Sequence, residues 1–186
     1  MPRYVAFLRA INVGGSHVVK MDALRAMFKD LGFKGVETFI ASGNVIFETR
    51  SKDVTGLERK IEATLEMILG YEVATFIRTL DAVASIARAD PFPVAALAKA
   101  GSFNVGLLKA PLRDASRRLL AQLRTDVDEF LASGSELYWI CVGGQGGSKI
   151  SNAVFERTLK VKATFRGMRT MEKLAAKYPP TSSRSR

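Results

Sequence analysis

A chain of 186 residues, 47% hydrophobic and 25% charged, has the make-up of a globular protein with room for one large domain or two small ones. Its apolar runs are too short for a bilayer-spanning helix, and its single cysteine, Cys141, excludes an internal disulfide. Met1-Pro-Arg leads straight into an apolar strand pattern rather than a signal peptide, so a cytoplasmic location and no membrane association are expected. The net charge of +10 is unevenly spread: residues 1–91 hold 12 Lys/Arg and 11 Asp/Glu, residues 92–186 hold 16 and 7. That asymmetry fits an anionic partner for the second half, and it equally fits a charge that only keeps the protein in solution.

In chain order, Tyr4 to Arg9 is apolar on both alternating sets and reads as a strand from the middle of a sheet. Met21 to Leu31 places Leu24, Met27, Phe28 and Leu31 on one helical stripe, with Gly32 as the stop. Val36 to Ala41 and Val45 to Thr49 form a hairpin across Ser42-Gly43-Asn44. Thr55-Gly-Leu-Glu58 has the pattern of a capping box and opens a helix carrying Leu57, Ile61 and Ile68. A strand over Tyr71 to Arg78 and a helix over Thr79 to Ala89 follow, and Asp90-Pro91 stops that helix.

The second half repeats this element order. Phe103 to Lys109 is a strand, Leu112 to Arg124 a helix, and Asp128 to Ala132 with Glu136 to Val142 a hairpin. Ile150 to Lys160 is a helix, Lys162 to Arg166 a strand, and Thr170 to Tyr178 a last helix with Met171, Leu174, Ala175 and Tyr178 on one stripe. Strand-helix-strand-strand-helix-strand is the ferredoxin-like order. The expectation is an α+β protein of two tandem ferredoxin-like domains, each with an additional C-terminal helix. They cover residues 1–91 and 102–178, with Pro91 to Gly101 as the link and 179–186 as a disordered tail.

The stretches LRAINVGG, MDALRAMFKDLGF and TFIASGNVIFET resemble the opening of the uncharacterised bacterial family DUF1697, and Ser148 to Arg157 with Ala163 to Arg166 extend the resemblance into the second half. The resemblance implies two ferredoxin-like domains and carries no activity, cofactor or catalytic residue. Two departures stand out: Ala10 where glycine is usual, and Gly167-Met168 where an Asn-Trp pair is common.

In that topology the exit of the first strand and the turn between the second and third share one edge of the sheet. There Arg9, Asn12, Gly14, Gly15, Ser42, Gly43 and Asn44 gather donors with few acids, a set suited to phosphate or carboxylate. In the second half the opposite edge gathers the Gly143 to Gly147 loop, Ser148, Lys149, Ser151, Asn152 and Arg166. A glycine-rich loop entering a helix beside a lysine suits an anion, although Ser148 before Lys149 and Ile150 after it exclude a nucleoside-triphosphate loop. The sharpest expectation places Lys149 and Arg166 side by side around that anion. Turn and cap chemistry is the plainer reading of both clusters.

His17 is the only histidine, which excludes a histidine-based metal site or a catalytic histidine pair; no metal and no cofactor are expected. Tyr138, Trp139 and Cys141 read as core. Arg113, Arg117 and Arg124 share one side of their helix, as a solvated ridge or a phosphate-backbone track. The resulting functional expectation is a binding module for nucleic acid or a phosphorylated small molecule. An enzyme on a small anionic substrate and a purely structural or interaction protein remain as alternatives. Nothing in the residues indicates an oligomeric state.

Overall fold

Strand β1 (Arg3–Leu8) is buried from Tyr4 to Leu8, as apolar residues on both of its faces require. It is central. It pairs antiparallel with β3 (Asn44–Glu48) on one side and β4 (Thr75–Thr79) on the other, and β2 (Lys34–Thr38) adds to β3, giving the order β2-β3-β1-β4. Strand β5 (Ala100–Leu107) takes the corresponding place in a second sheet. With β6 (Asp128–Ser133), β7 (Glu136–Val142) and β8 (Thr164–Gly167) it forms the order β6-β7-β5-β8, again antiparallel throughout.

This computed structural model describes residues 1–12 and 17–180, with the side chain of Gln145 left aside. Gly14, Gly15 and tail residues 181–186 lie outside the described residues. Among the described residues seven α-helices accompany the two four-stranded sheets, so the protein is α+β. They are α1 (Met21–Asp30), α2 (Val54–Leu69), α3 (Leu80–Ala87), α4 (Val94–Lys99), α5 (Asp114–Gln122), α6 (Asn152–Leu159) and α7 (Met168–Lys177). No helix of the described residues is long and apolar enough to cross a membrane. The chain divides into two compact units, Met1–Ala84 with the segment from Leu174 onward, and Ser85–Lys173. These limits differ from the sequence division at 91 and 102.

In the first unit α1 and α2 cover one face of the sheet. Leu24 and Phe28 of α1, and Leu57, Ile61 and Leu65 of α2, join Tyr4, Phe33 and Phe47 in one core. Phe33 lies 4.5 Å from Phe47 between ring centroids, and Phe28 lies 5.8 Å from Phe47. Each such buried aromatic contributes roughly 2 kcal/mol relative to exposure. Helix α2 corrects the sequence reading twice. Its cap is Asp53, whose carboxylate accepts from Gly56 N at 2.9 Å, so Thr55 lies inside the helix and Glu58 is free to turn inward. Ile68 is 48% exposed, and Leu65, one turn after Ile61, takes the core place.

Ala10, just after β1, has φ of 60°. A left-handed backbone costs an L residue roughly 1–2 kcal/mol, a conformation that glycine adopts without that cost.

In the second unit Leu112, Leu120, Leu137, Phe155 and Leu159 form the core between α5, α6 and the sheet. Gly106 lets the Phe165 ring lie across β5, since a Cβ there would meet that ring at 2.7 Å. The stretch read as a linker holds α4, because Ala95, Ala96, Leu97 and Ala98 are strong helix formers and Pro93 stands at the permitted start.

Candidate functional site

Strands β1 and β2 both run antiparallel to β3, so the exit of β1 does meet the β2–β3 turn, where Leu8 N donates to Gly43 O at 2.8 Å. Arg9, Asn12, Ser42 and Asn44 reach this edge, but the two asparagines are engaged internally. Asn12 Nδ2 donates to the carbonyls of Val19 and Ala41, both at 3.1 Å, while its Oδ1 accepts from Val19 N at 2.7 Å. Asn44 is fully buried, and its Nδ2 donates to Phe39 O at 3.0 Å and to Ser42 Oγ at 2.9 Å. Arg9 is half-buried, with its backbone N on Ala74 O at 2.9 Å. The expected donor set is therefore mainly the scaffold of the edge.

The glycine-rich loop of the second unit leaves β7 with Gly143 and Gly144 at φ of 76° and 89°. It lies so close to the start of β5 that a Cβ on Gly101 would stand 2.4 Å from Gly144 N. Beneath it sits a carboxylate that sequence reading did not place there. Asp128, the first residue of β6, is fully buried and accepts from Trp139 Nε1 at 2.9 Å, Thr125 Oγ1 at 2.8 Å and Ser148 Oγ at 2.9 Å. Burial alone pushes its pKa up; the hydrogen bonds from Ser148, Thr125, Trp139 and Cys141 outweigh that and hold it below the ordinary value. The glycine-rich loop is thus built over an acid, which disfavours a second anion above it. Cys141 Sγ donates to Gly144 O at 3.2 Å, and burial, with Asp128 beside it, pushes the thiol up to about 11. It is a core group rather than a nucleophile at neutral pH.

The expected pair of Lys149 and Arg166 is not brought together. Arg166 stands opposite Val105, and Phe165 opposite Gly106, so the two side chains leave opposite faces of β8. Phe165 shares a small hollow with Trp139, Ile150, Ser151 and Asn152. Arg166 is on the other face, where its Nη1 donates to Thr164 Oγ1 and Phe165 O, both at 2.9 Å, and burial pushes its pKa down to about 10. Ser151 Oγ accepts from Val154 N at 3.2 Å and so caps α6, and Asn152 Nδ2 donates to Ala163 O at 3.3 Å. Lys149 is exposed and makes no hydrogen bond or ion pair with the described residues.

A cationic surface does emerge on the helices that cover this sheet. Ser116 Oγ donates to Leu159 O at 3.1 Å and ties α5 to the end of α6. On these two helices and at their ends, Arg113, Arg118, Arg157 and Lys160 are exposed and pair with no acid among the described residues. Arg117 is exposed with its Nε on Leu112 O at 3.1 Å. Arg124 leaves the expected track: it lies past the end of α5 and its Nη2 is 2.5 Å from Glu129 Oε1. Lys160 and Arg157 were missed by the sequence reading because they come from a different helix. Among the described residues no group of three or more His, Cys, Asp or Glu could hold a metal ion.

The model of a family described as a protein of unknown function, DUF1697, matches residues 1–138. A solved structure, the conserved bacterial protein SP0830 from Streptococcus pneumoniae, is similar over 94% of this chain and 97% of its own, at 21% identity with a TM-score of 0.65. At that identity the likeness concerns the fold. No curated protein matches this chain.

Proposed function

The chain belongs to the DUF1697 family, and we propose that it is a binding module for a polyanion, with the α5–α6 face receiving a nucleic-acid backbone. The observation that carries this reading is the set of exposed cations Arg113, Arg118, Arg157 and Lys160, none of them paired with an acid. Basic residues outnumber acids here, with one exposed acid, Asp114, at the start of α5. On α6, Glu156 turns to accept Ala163 N at 2.9 Å. Lys149 stands before the other end of α6, a helix about 12 Å long, so cations flank both of its ends. The excess of Lys/Arg over Asp/Glu in residues 92–186 adds long-range attraction for such a partner. In the same reading each sheet with its covering helices is a ferredoxin-like domain, joined in tandem to a second one.

The test is fluorescence anisotropy of the full chain with single-stranded and duplex oligonucleotides at low and moderate salt. Phosphate contacts release counterions, so affinity falls steeply as salt rises. Arg113→Gln, Arg118→Gln, Arg157→Gln and Lys160→Gln combined lower both the affinity and the salt slope. No binding at low salt, or binding that the combined variant leaves unchanged, overturns the reading.

A further inference from the structure

Strand β6 is an outer strand of its sheet and pairs with β7 in an unbroken register from Asp128 to Ser133. Val142 N donates to Val127 O at 2.8 Å, which sets the phase of the ladder. Alternate residues of an antiparallel strand turn their backbone groups to the same neighbour. Glu129, Leu131 and Ser133 therefore turn theirs to β7, and Asp128, Phe130 and Ala132 turn theirs outward. Asp128 uses its pair within the chain: its O accepts from Thr125 N at 3.1 Å and its N donates to Thr125 Oγ1 at 3.0 Å. The N–H and C=O groups of Phe130 and Ala132 have no partner among the described residues.

Other outer strands carry protection. In β4, Ile77 N and Thr75 N are answered by Glu58 and Glu62. β2 carries Lys34, a register shift between Lys34 and Glu37, and Gly35 at φ of 54°. Lysines and bulges are the usual means of keeping an edge from pairing. β6 has no lysine, proline or bulge, and its Leu131 is 37% exposed.

The open groups match themselves. If a second β6 approaches antiparallel with Leu131 opposite Leu131, Phe130 of each copy lies opposite Ala132 of the other. Both N–H and C=O groups of each residue are then paired, two donors from each copy. A shift of two residues one way spends the pairing on Asp128, already engaged, and a shift the other way runs into the Gly134 turn. In the favoured register Glu129 meets Ser133 of the second copy, so no acid faces an acid.

We propose that β6 is a self-pairing edge, through which two copies of this chain join their second-unit sheets about a two-fold axis. Such an interface is closed and uses the same patch on both copies. α5 packs against Phe130 and Ala132, so the axis brings the two α5 helices, with Arg113, Arg117 and Arg118, alongside each other. Their repulsion is screened by salt, so pairing strengthens as salt rises, opposite in sign to polyanion binding. Partner and surface both differ from those of the polyanion reading, so either stands if the other fails.

The test is sedimentation equilibrium of the full chain from micromolar to millimolar concentration at low and moderate salt. A monomer–dimer equilibrium is expected that shifts to dimer with salt. Ala132→Pro removes an outward N–H and no bond to β7, and weakens the dimer about tenfold or more, as does Leu131→Lys at an exposed position. The register is read by cross-linking with oxidised glutathione. Directly opposed residues that are not hydrogen-bonded stand about 4.5 Å apart at Cα, within disulfide reach, so Leu131→Cys gives a covalent dimer and Ser133→Cys does not. A chain that stays monomeric at every concentration overturns the proposal. So do a dimer that both β6 variants leave intact, and Ser133→Cys cross-linking as fast as Leu131→Cys.

Discussion

The two sheets share one strand order and finish their outer edges differently. In the first, the sixteen-residue α2 sends two carboxylates from successive turns to alternate residues of β4: Glu58 Oε1 accepts from Ile77 N at 2.9 Å and Glu62 Oε1 from Thr75 N at 2.8 Å. Amides that would pair with a further strand are thereby answered by side chains, which closes the edge. In the second, the eight-residue α6 supplies Glu156, whose Oε1 accepts from Ala163 N at 2.9 Å. The buried asparagines show the same contrast: Asn44 has acceptors for its amide, and Asn104 has an Nδ2 with none. A long helix lets the first sheet satisfy itself, whereas the shorter helix and shorter β8 leave the second with an open notch.

The sharpest way to break this contrast is at the second sheet's own satisfied group. Asp128→Ala strands Trp139 Nε1 and the hydroxyls of Ser148 and Thr125, and is expected to destabilise the protein by about 3 kcal/mol in urea unfolding. Because the folded-state pKa of Asp128 is depressed, its contribution is present above the ordinary carboxylate pKa of about 4 and is lost as the pH falls through the folded value. Asp128→Asn is therefore expected to flatten the acid limb of stability against pH. An unchanged limb would show that the carboxylate gains nothing from its donors.

Glu58→Ala is expected to cost about 2 kcal/mol, since it leaves the buried Ile77 N–H without an acceptor, and Glu156→Ala about 1 kcal/mol, since its site is less buried. Equal losses would remove the distinction between a closed and an open edge. Hydrogen exchange sharpens it further: Ile77 N–H is expected to lose protection in Glu58→Ala beyond the change in global stability.

Strand order and the meeting of the β1 exit with the β2–β3 turn were legible because element order and two-sided burial of Tyr4 to Leu8 constrain them. Side-chain engagement was not. Asn12 and Asn44 look like donors in the sequence, and nothing local tells a donor to a backbone carbonyl from a donor to a ligand. Arg166 was misplaced by strand parity: its neighbour Phe165 faces α6, so Arg166 must face away, and a one-residue change of register reverses that outcome. Asp128 reaches the glycine-rich loop through the β6–β7 pairing and a contact with Ser148 twenty residues on, which has no local signal. α4 was hidden by the prolines around it.

The smallest effect separates function from helix chemistry. α2 and α6 occupy corresponding places in their units, and both stop at a left-handed residue: Gly70 at φ of 77° and Lys160 at φ of 57°. The lysine is strained where the glycine is not. It is also one of the four unpaired cations of the proposed polyanion face. Lys160→Gly is expected to raise stability by up to about 1 kcal/mol, net of the greater freedom of glycine in the unfolded chain, or about 3 °C in Tm. It should weaken oligonucleotide binding severalfold at the same time. Ala10→Gly relieves a similar strain at φ of 60° outside that face, and is expected to raise stability alike with binding unchanged. A cation at a helix C-terminus also favours the helix dipole, by about 0.3–1 kcal/mol. If Lys160→Gly gains no stability and loses no affinity, that local interaction accounts for the lysine, and the strained cap has no part in binding.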